Sequence, residues 1–183
     1  MGTWKRPPAI TCLLLLLAGC SGIKVGSDYD PAADFAALRS YAWLARASER
    51  TKDPRLDSSL LNQRIERAVD DALRAKGLTK VAAEEADFFV TFHIGIDQKL
   101  DVTTIPTTYG YYGRWGGFYG GTETRVDQYE EGTLLIDFVD REKDDLLWRG
   151  SGQTRIREHR SPEDREKRVR EVVGAILEQY PPG

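Results

Sequence analysis

Residues 109–121 read Tyr-Gly-Tyr-Tyr-Gly-Arg-Trp-Gly-Gly-Phe-Tyr-Gly-Gly. Tyr111, Tyr112, Trp115, Phe118 and Tyr119 supply flat faces able to stack on sugar rings, peptide or lipid, and Arg114 adds one fork for a carboxylate or phosphate. The segment joins two expected strands through a connection much longer than the roughly 2–5 residues of a usual hairpin. Long connections between rigid elements often carry binding function. The competing reading is a Gly-rich loop whose aromatics fold over the sheet edge or dip into a bilayer interface. The glycines match neither the dinucleotide fingerprint nor the phosphate loop that ends in Lys-Ser/Thr.

The remaining candidates for chemistry are sparse. His93 and His159 are the only histidines. His93 falls on the polar face of an expected strand together with Asp97, but four strand residues span about 13 Å, so the two do not pair. Two isolated histidines give no zinc spacing. Asp137, Asp140, Glu142, Asp144 and Asp145 gather around one turn, yet they lack the alternating pattern and central glycine of a calcium loop, and Arg141 and Lys143 interrupt them. No metal or other cofactor is expected. Ser151 in Gly150-Ser151-Gly152 is not a nucleophile elbow, which needs Gly-x-Ser-x-Gly at a strand-to-helix turn. The spatial pairing of carboxylates cannot be read from sequence, so a glycan hydrolase built on such a pair stays open as an alternative.

Cys20 carries the most specific signal. Trp4-Lys5-Arg6 gives a basic start, Ala9 to Leu17 an apolar run, and Ala18-Gly19 the small residues of a cleavage site. The apolar run is about half the roughly 20 residues of a spanning helix. Leu17-Ala18-Gly19-Cys20 resembles the lipobox of bacterial lipoproteins, which implies that the Cys20 thiol is acylated and becomes the first residue of the mature chain. Residues 1–19 are then a removed signal peptide, 20–28 an acylated cysteine with a short polar leader, and 29–183 one domain. Cys12 leaves with the signal, so no intrachain disulfide is possible. Ser21 in place of Asp leans toward the periplasmic face of the outer membrane, by resemblance to lipoprotein sorting signals.

The mature chain has 164 residues (183 minus 19) and a formal charge of −5 (24 basic minus 29 acidic), since Lys5 and Arg6 are lost. That size suits a single domain. A mildly acidic balance gives no reason to expect nucleic acid.

The elements that must position these residues follow from periodicity. Tyr41-Ala42-Trp43-Leu44 reads as a first strand. Asp53-Pro54 reads as a helix start, Leu61, Ile65, Ala68, Val69, Ala72 and Leu73 as its apolar stripe, and Gly77 as its stop. Arg64, Glu66, Arg67, Asp70 and Asp71 are expected to face water. Phe88, Val90, Phe92, Ile94 and Ile96 alternate with Phe89, Thr91, His93, Gly95 and Asp97, which predicts a strand over 87–100 with one face packed. Strands are expected at 122–129 and 132–140, separated by Glu130-Glu131-Gly132. A last strand over 145–157 places Leu146, Trp148, Thr154 and Ile156 in one register, and Gly150 and Gly152 imply a bulge or a close backbone approach. Ser161-Pro162-Glu163-Asp164 opens a second helix, with Val169, Val172, Val173, Ile176, Leu177 and Tyr180 on one face and Pro181-Pro182 as its stop. The expected fold is α+β, two-layer: an antiparallel sheet with two amphipathic helices packed on one face.

Asp34-Phe35 leading to Tyr41-Ala42-Trp43, then Lys76-Gly77-Leu78, Ala86-Asp87-Phe88, the Gly/aromatic loop, Gly132-Thr133-Leu134, Leu147-Trp148-Arg149-Gly150 and Tyr180-Pro181-Pro182 run in order. In this the mature chain resembles the bacterial lipoprotein family defined by the domain of unknown function DUF4136. The resemblance implies an envelope lipoprotein with an α+β domain and supplies no catalytic residues. The expectation is a non-catalytic module, held to the membrane through acylated Cys20, that binds or organises an envelope protein or cell-wall glycan. Its candidate contacts are the Tyr109–Gly121 loop and the polar sheet face bearing His93, Thr91, Asp97, Arg149 and Arg155. The alternative is a cell-wall hydrolase or transferase that uses unrecognised carboxylates.

Overall fold

Strict alternation of apolar and polar side chains makes one face of a strand bury while the other stays wet, and this pattern organises the whole molecule. The computed structural model describes residues 22–44, 58–109, 119–156 and 161–182. In chain order they form β1 (Ile23–Tyr29), β2 (Ser40–Trp43), α1 (Ser59–Ala75), β3 (Thr79–Lys80), β4 (Phe88–Tyr109), β5 (Tyr119–Asp140), β6 (Leu146–Arg155) and α2 (Pro162–Leu177). The six strands make one sheet in the order β1-β6-β5-β4-β2-β3.

The α+β class holds, but the sheet is mixed rather than purely antiparallel. β2 runs parallel to both β3 and β4, while β1–β6, β6–β5 and β5–β4 are antiparallel. The reason is α1: the helical crossover carries the chain from the end of the sheet where β2 finishes back to the end where β2 began, so the strand that follows it must run parallel to β2. Two further expectations change. Residues 23–28, read as part of a polar leader, belong to edge strand β1, which pairs with β6 from Ile23↔Thr154 to Tyr29↔Trp148. Glu130-Glu131-Gly132 is no turn, and the two strands expected on either side of it are the single 22-residue strand β5.

The core lies between the helices and one sheet face. Val90 and Phe92 of β4, Ile136 and Phe138 of β5 and Trp148 of β6 meet Ile65, Val69 and Leu73 of α1 and Val172, Val173, Ile176 and Leu177 of α2. Gly150 and Gly152 carry the close approach expected of them. A Cβ on Gly150 would sit 2.3 Å from the Trp148 ring and 2.4 Å from Ile176, and one on Gly152 would lie 2.8 Å from Ile176. Their missing side chains make the slot into which α2 and the Trp148 indole pack. Tyr180 closes it, its ring 4.8 Å from Phe138 and 5.6 Å from Trp148. Trp148 is buried as its register predicts, but Leu146 is not. A bulge opposite Phe138 and Val139 inserts an extra residue in β6, buries Leu147 and leaves Leu146 40% exposed.

α2 begins as read from sequence, the Ser161 hydroxyl accepting a bond from the Asp164 N–H at 3.1 Å with Pro162 at the first helical position. The expected start of α1 at Asp53-Pro54 lies outside the described residues. The helices are joined across their polar sides by Glu166, which receives Arg170 at 3.2 Å within α2 and lies 3.6 Å from both Arg64 and Arg67 of α1. Asp70 departs from its expected place in water: it accepts from the Tyr41 hydroxyl at 2.8 Å, the Trp43 indole at 3.0 Å and Lys80 at 3.0 Å, and so ties α1 to β2 and β3. Burial and that bond to Asp70 both push the Tyr41 hydroxyl pKa upward.

Candidate functional site

Both helices cover one face of the sheet, which leaves the other for contact. Asp28 of β1, Arg149 of β6, Asp137 of β5 and Thr91 of β4 form one cross-strand row on it. Arg149 donates from Nε to Asp137 Oδ1 at 2.7 Å and from a terminal nitrogen to Oδ2 at 2.6 Å. Asp137 is only 3% exposed, so its charge depends on that fork. The same carboxylate, with a smaller contribution from Asp28, raises the pKa of Arg149 further. His93, diagonal to Asp137, lies 3.7 Å from Oδ2, and its side chain is 56% exposed. That separation is beyond hydrogen-bond range, so His93 is an open donor and acceptor beside a neutralised ion pair.

Thr91, His93 and Arg149 therefore come together as one polar patch, as the alternation of β4 predicts. Asp97 and Arg155 lie on the same face two rows further along, in the row Asp97–Glu131–Arg155. Arg155 stacks its guanidinium over the Tyr129 ring, 3.9 Å from the centroid. With Gln98, Gln128, Glu130 and Ile156 these two line a shallow, open groove. Of the aromatic segment, Tyr111, Tyr112, Arg114, Trp115 and Phe118 lie outside the described residues, and Tyr119 enters through its backbone, paired with Tyr109 at the end of the β4–β5 ladder.

The acidic turn separates into distinct parts. Asp137 belongs to the sheet face. Asp140 Oδ1 accepts from the Glu142 and Lys143 N–H groups, both at 2.8 Å, which holds its carboxyl below the usual carboxylate range. Among the described residues no group of three or more His, Cys, Asp or Glu could hold a metal ion. Ser151 is tied down, its hydroxyl donating to the Gly26 carbonyl at 3.1 Å and fastening β6 to β1. Sequence reasoning missed Asp137, the centre of the patch. Its signal was available in part: an acid flanked by Ile136 and Phe138 in mid-strand is out of place in a turn.

The sequence profile of the domain of unknown function DUF4136 matches residues 25–182. The chain belongs to the DUF4136 family. Among curated proteins no relative matches. In structure the DUF4136 domain is similar to a PDZ domain protein from Parabacteroides distasonis, with a TM-score of 0.54 and 16% identity. That likeness covers 88% of this chain and 36% of the other, so the chain spans about a third of that protein's length and the likeness concerns the fold alone. It is also similar to PelC from Paraburkholderia phytofirmans, crystallised as a dodecamer in two forms. TM-scores are 0.42 and 0.43 and identities 13% and 11%, over 85% of this chain and 94% of each PelC chain. The match of the DUF4136 profile begins at Val25, inside β1, which agrees with an edge strand that belongs to the domain rather than to a leader.

Proposed function

We propose that this DUF4136 protein is a lipid-anchored envelope lipoprotein on the periplasmic face of the outer membrane, where it acts as a non-catalytic binding or organising module. Leu17-Ala18-Gly19-Cys20 carries the reading. Folded structure follows that cysteine closely, with β1 beginning at Ile23. No helix among the described residues is long and apolar enough to cross a membrane.

The engagement of four carboxylates in holding the fold favours a binding role over hydrolysis by those groups. Glycan hydrolysis needs two carboxyls facing one another across a substrate. Asp70 is taken up by Tyr41, Trp43 and Lys80, Asp137 by Arg149, and Asp140 by its own turn. Asp87 Oδ2 accepts from the Arg39 and Ser40 N–H groups, both at 2.8 Å, and from the Ser40 hydroxyl at 2.9 Å. These four hold the fold. The ligand we assign to the helix-free face is an envelope protein or cell-wall glycan, contacted through His93, Thr91 and the exposed rim of Arg149.

The test is fractionation of cells that carry Cys20→Ser. The variant should appear unacylated and soluble in the periplasm, and unchanged membrane fractionation refutes the anchor. For binding, crosslinking from intact cells should recover an envelope partner with wild type but not with His93→Ala. Modification of wall fragments by the purified domain would instead establish the hydrolase.

A further inference from the structure

The β4–β5 ladder extends far past the rest of the sheet. β6 pairs with β5 only as far as Glu131↔Arg155, and β2 pairs with β4 only at Tyr41↔Phe88 to Trp43↔Val90. With Ile156 still bonded to the Glu130 carbonyl at 2.9 Å, the two strands run on as an isolated ribbon from Lys99↔Tyr129 to Tyr109↔Tyr119. At about 3.3 Å per residue its arms reach roughly 33 Å.

The ribbon has two unlike faces. One carries Lys99, Asp101, Glu123, Arg125 and Asp127. The other, continuous with the helix-covered face of the sheet, is uncharged over Leu100, Val102, Thr104, Thr122, Thr124, Val126 and Gln128. Val102 lies directly opposite Val126, with Leu100 one step toward the base. These three are 59%, 56% and 66% exposed, and they account for three of the seven large apolar side chains left in solvent among the described residues.

The sheet register says what lies beside them. Ile23 of β1, Thr154 of β6, Gly132 of β5 and Ile96 of β4 form one cross-strand row, and the ribbon leaves the sheet a few residues beyond it, past Glu130. β1 enters the sheet at that same end, and Cys20 is three residues before Ile23. Three extended residues span at most about 11 Å. An acyl group on Cys20 therefore brings the bilayer surface to the base of the ribbon, two to three strand spacings away across the sheet.

We propose that the uncharged face of the ribbon, centred on Leu100, Val102 and Val126, lies against the surface of the bilayer that holds Cys20. The inference rests on the acylation reading above and adds a second membrane contact to it. The ribbon lies along the surface rather than crossing it. Both its edges carry unpaired backbone N–H and C=O groups, which hydrocarbon cannot satisfy and the headgroup layer can. The opposite face, with three acids and two bases, keeps to water. One apolar strip and one set of acyl chains then fix the domain's orientation on the membrane, where the acyl chains alone would leave it free to swing.

The test uses full-length acylated protein in phosphatidylcholine vesicles. Acylated Cys20 has no free thiol, so Val102→Cys and Asp101→Cys each offer a single site for a fluorophore. The mass of the purified protein reads acylation independently. In acylated protein, a nitroxide on the lipid headgroup should quench the probe at 102 several-fold more than the probe at 101, with aqueous iodide showing the reverse preference. Equal lipid quenching at the two positions in acylated protein overturns the ribbon contact and leaves the anchor standing. Shielding of 102 from both quenchers, with crosslinking between copies, also overturns it, in favour of a second protein chain. An unacylated mass refutes the anchor and removes the contact with it.

Discussion

Asp137 and Arg149, directly opposite each other on β5 and β6, share two hydrogen bonds of 2.7 and 2.6 Å on the face that the helices leave bare. The carboxylate is nearly sealed from solvent while the guanidinium keeps 43% of its side-chain exposure. The pair is therefore lopsided, since Arg149 can survive without Asp137 far better than the reverse.

That asymmetry sets the first prediction. Arg149→Leu strands a buried carboxylate and should cost about 2–4 kcal/mol, somewhat below a fully buried pair because Arg149 is partly in water. Asp137→Val with Arg149→Leu should recover most of that loss. A double-mutant cycle in urea checks it, and additive losses would show that the two residues do not depend on each other.

Trp148 offers a sharper contrast. Its indole N–H is buried without a hydrogen-bond partner among the described residues. Trp148→Ala should destabilise by about 3–5 kcal/mol. Trp148→Phe should cost well under half of that, because removing the unpaired donor offsets part of the lost volume. Equal losses for the two variants would mean that the N–H finds a partner in solution.

Glycine spacing gives a third test. Gly150→Ala forces a methyl against Trp148 and Ile176 and should cost about 1–3 kcal/mol by overpacking. Gly95→Ala, in the same sheet with open space at its Cβ, should be neutral or stabilising by up to about 1 kcal/mol. Thermal denaturation of the two variants separates them.

Asp87 governs part of the acid limb of stability. The Arg39 backbone N–H, followed by the Ser40 hydroxyl and N–H, holds its carboxyl below the ordinary value near 3.8. On acidification the unfolded chain binds this proton first, so the contribution is complete above about pH 5 and fades as pH falls through 3.8 toward the lower folded pKa. Asp87→Asn should flatten the fall in stability between about pH 5 and 3, with little change in its slope near neutrality. An identical acid limb would mean that the Asp87 contacts are not maintained in solution.

How much of this was legible in the sequence depended on whether the signal was local. α2 was readable from Ser161 to Pro182 because its cap, its first-turn proline and its apolar stripe are all near neighbours. The half of β4 beside the helices showed itself through the alternation of Phe88, Val90 and Phe92, and His93 was placed correctly on the open face by that parity. β1 gave no such signal: Lys24, Gly26, Ser27 and Asp28 bury almost nothing, and what holds the strand is backbone pairing to β6. The same blindness hid the ribbon, since Glu130-Glu131-Gly132 looks like a turn unless one knows that its partner strand continues alongside. Asp70 and Asp137 escaped because a charged side chain reveals its partner only when distant residues such as Tyr41 and Arg149 are brought to it. The parallel placement of β2 could be had only from the crossover through α1.

The pairing of β1 with β6 also dictates a sequence of events in folding. Ile23 and Thr154 are 131 positions apart (154 minus 23), whereas β4, β5 and β6 are joined to one another by shorter connections. Long-range closures of this kind are costly until the elements between them are in place. A chain synthesised from its N-terminus presents β1 first and β6 almost last. The first strand of the domain must therefore wait, with its hydrogen-bonding groups open, until nearly all of the domain has been delivered.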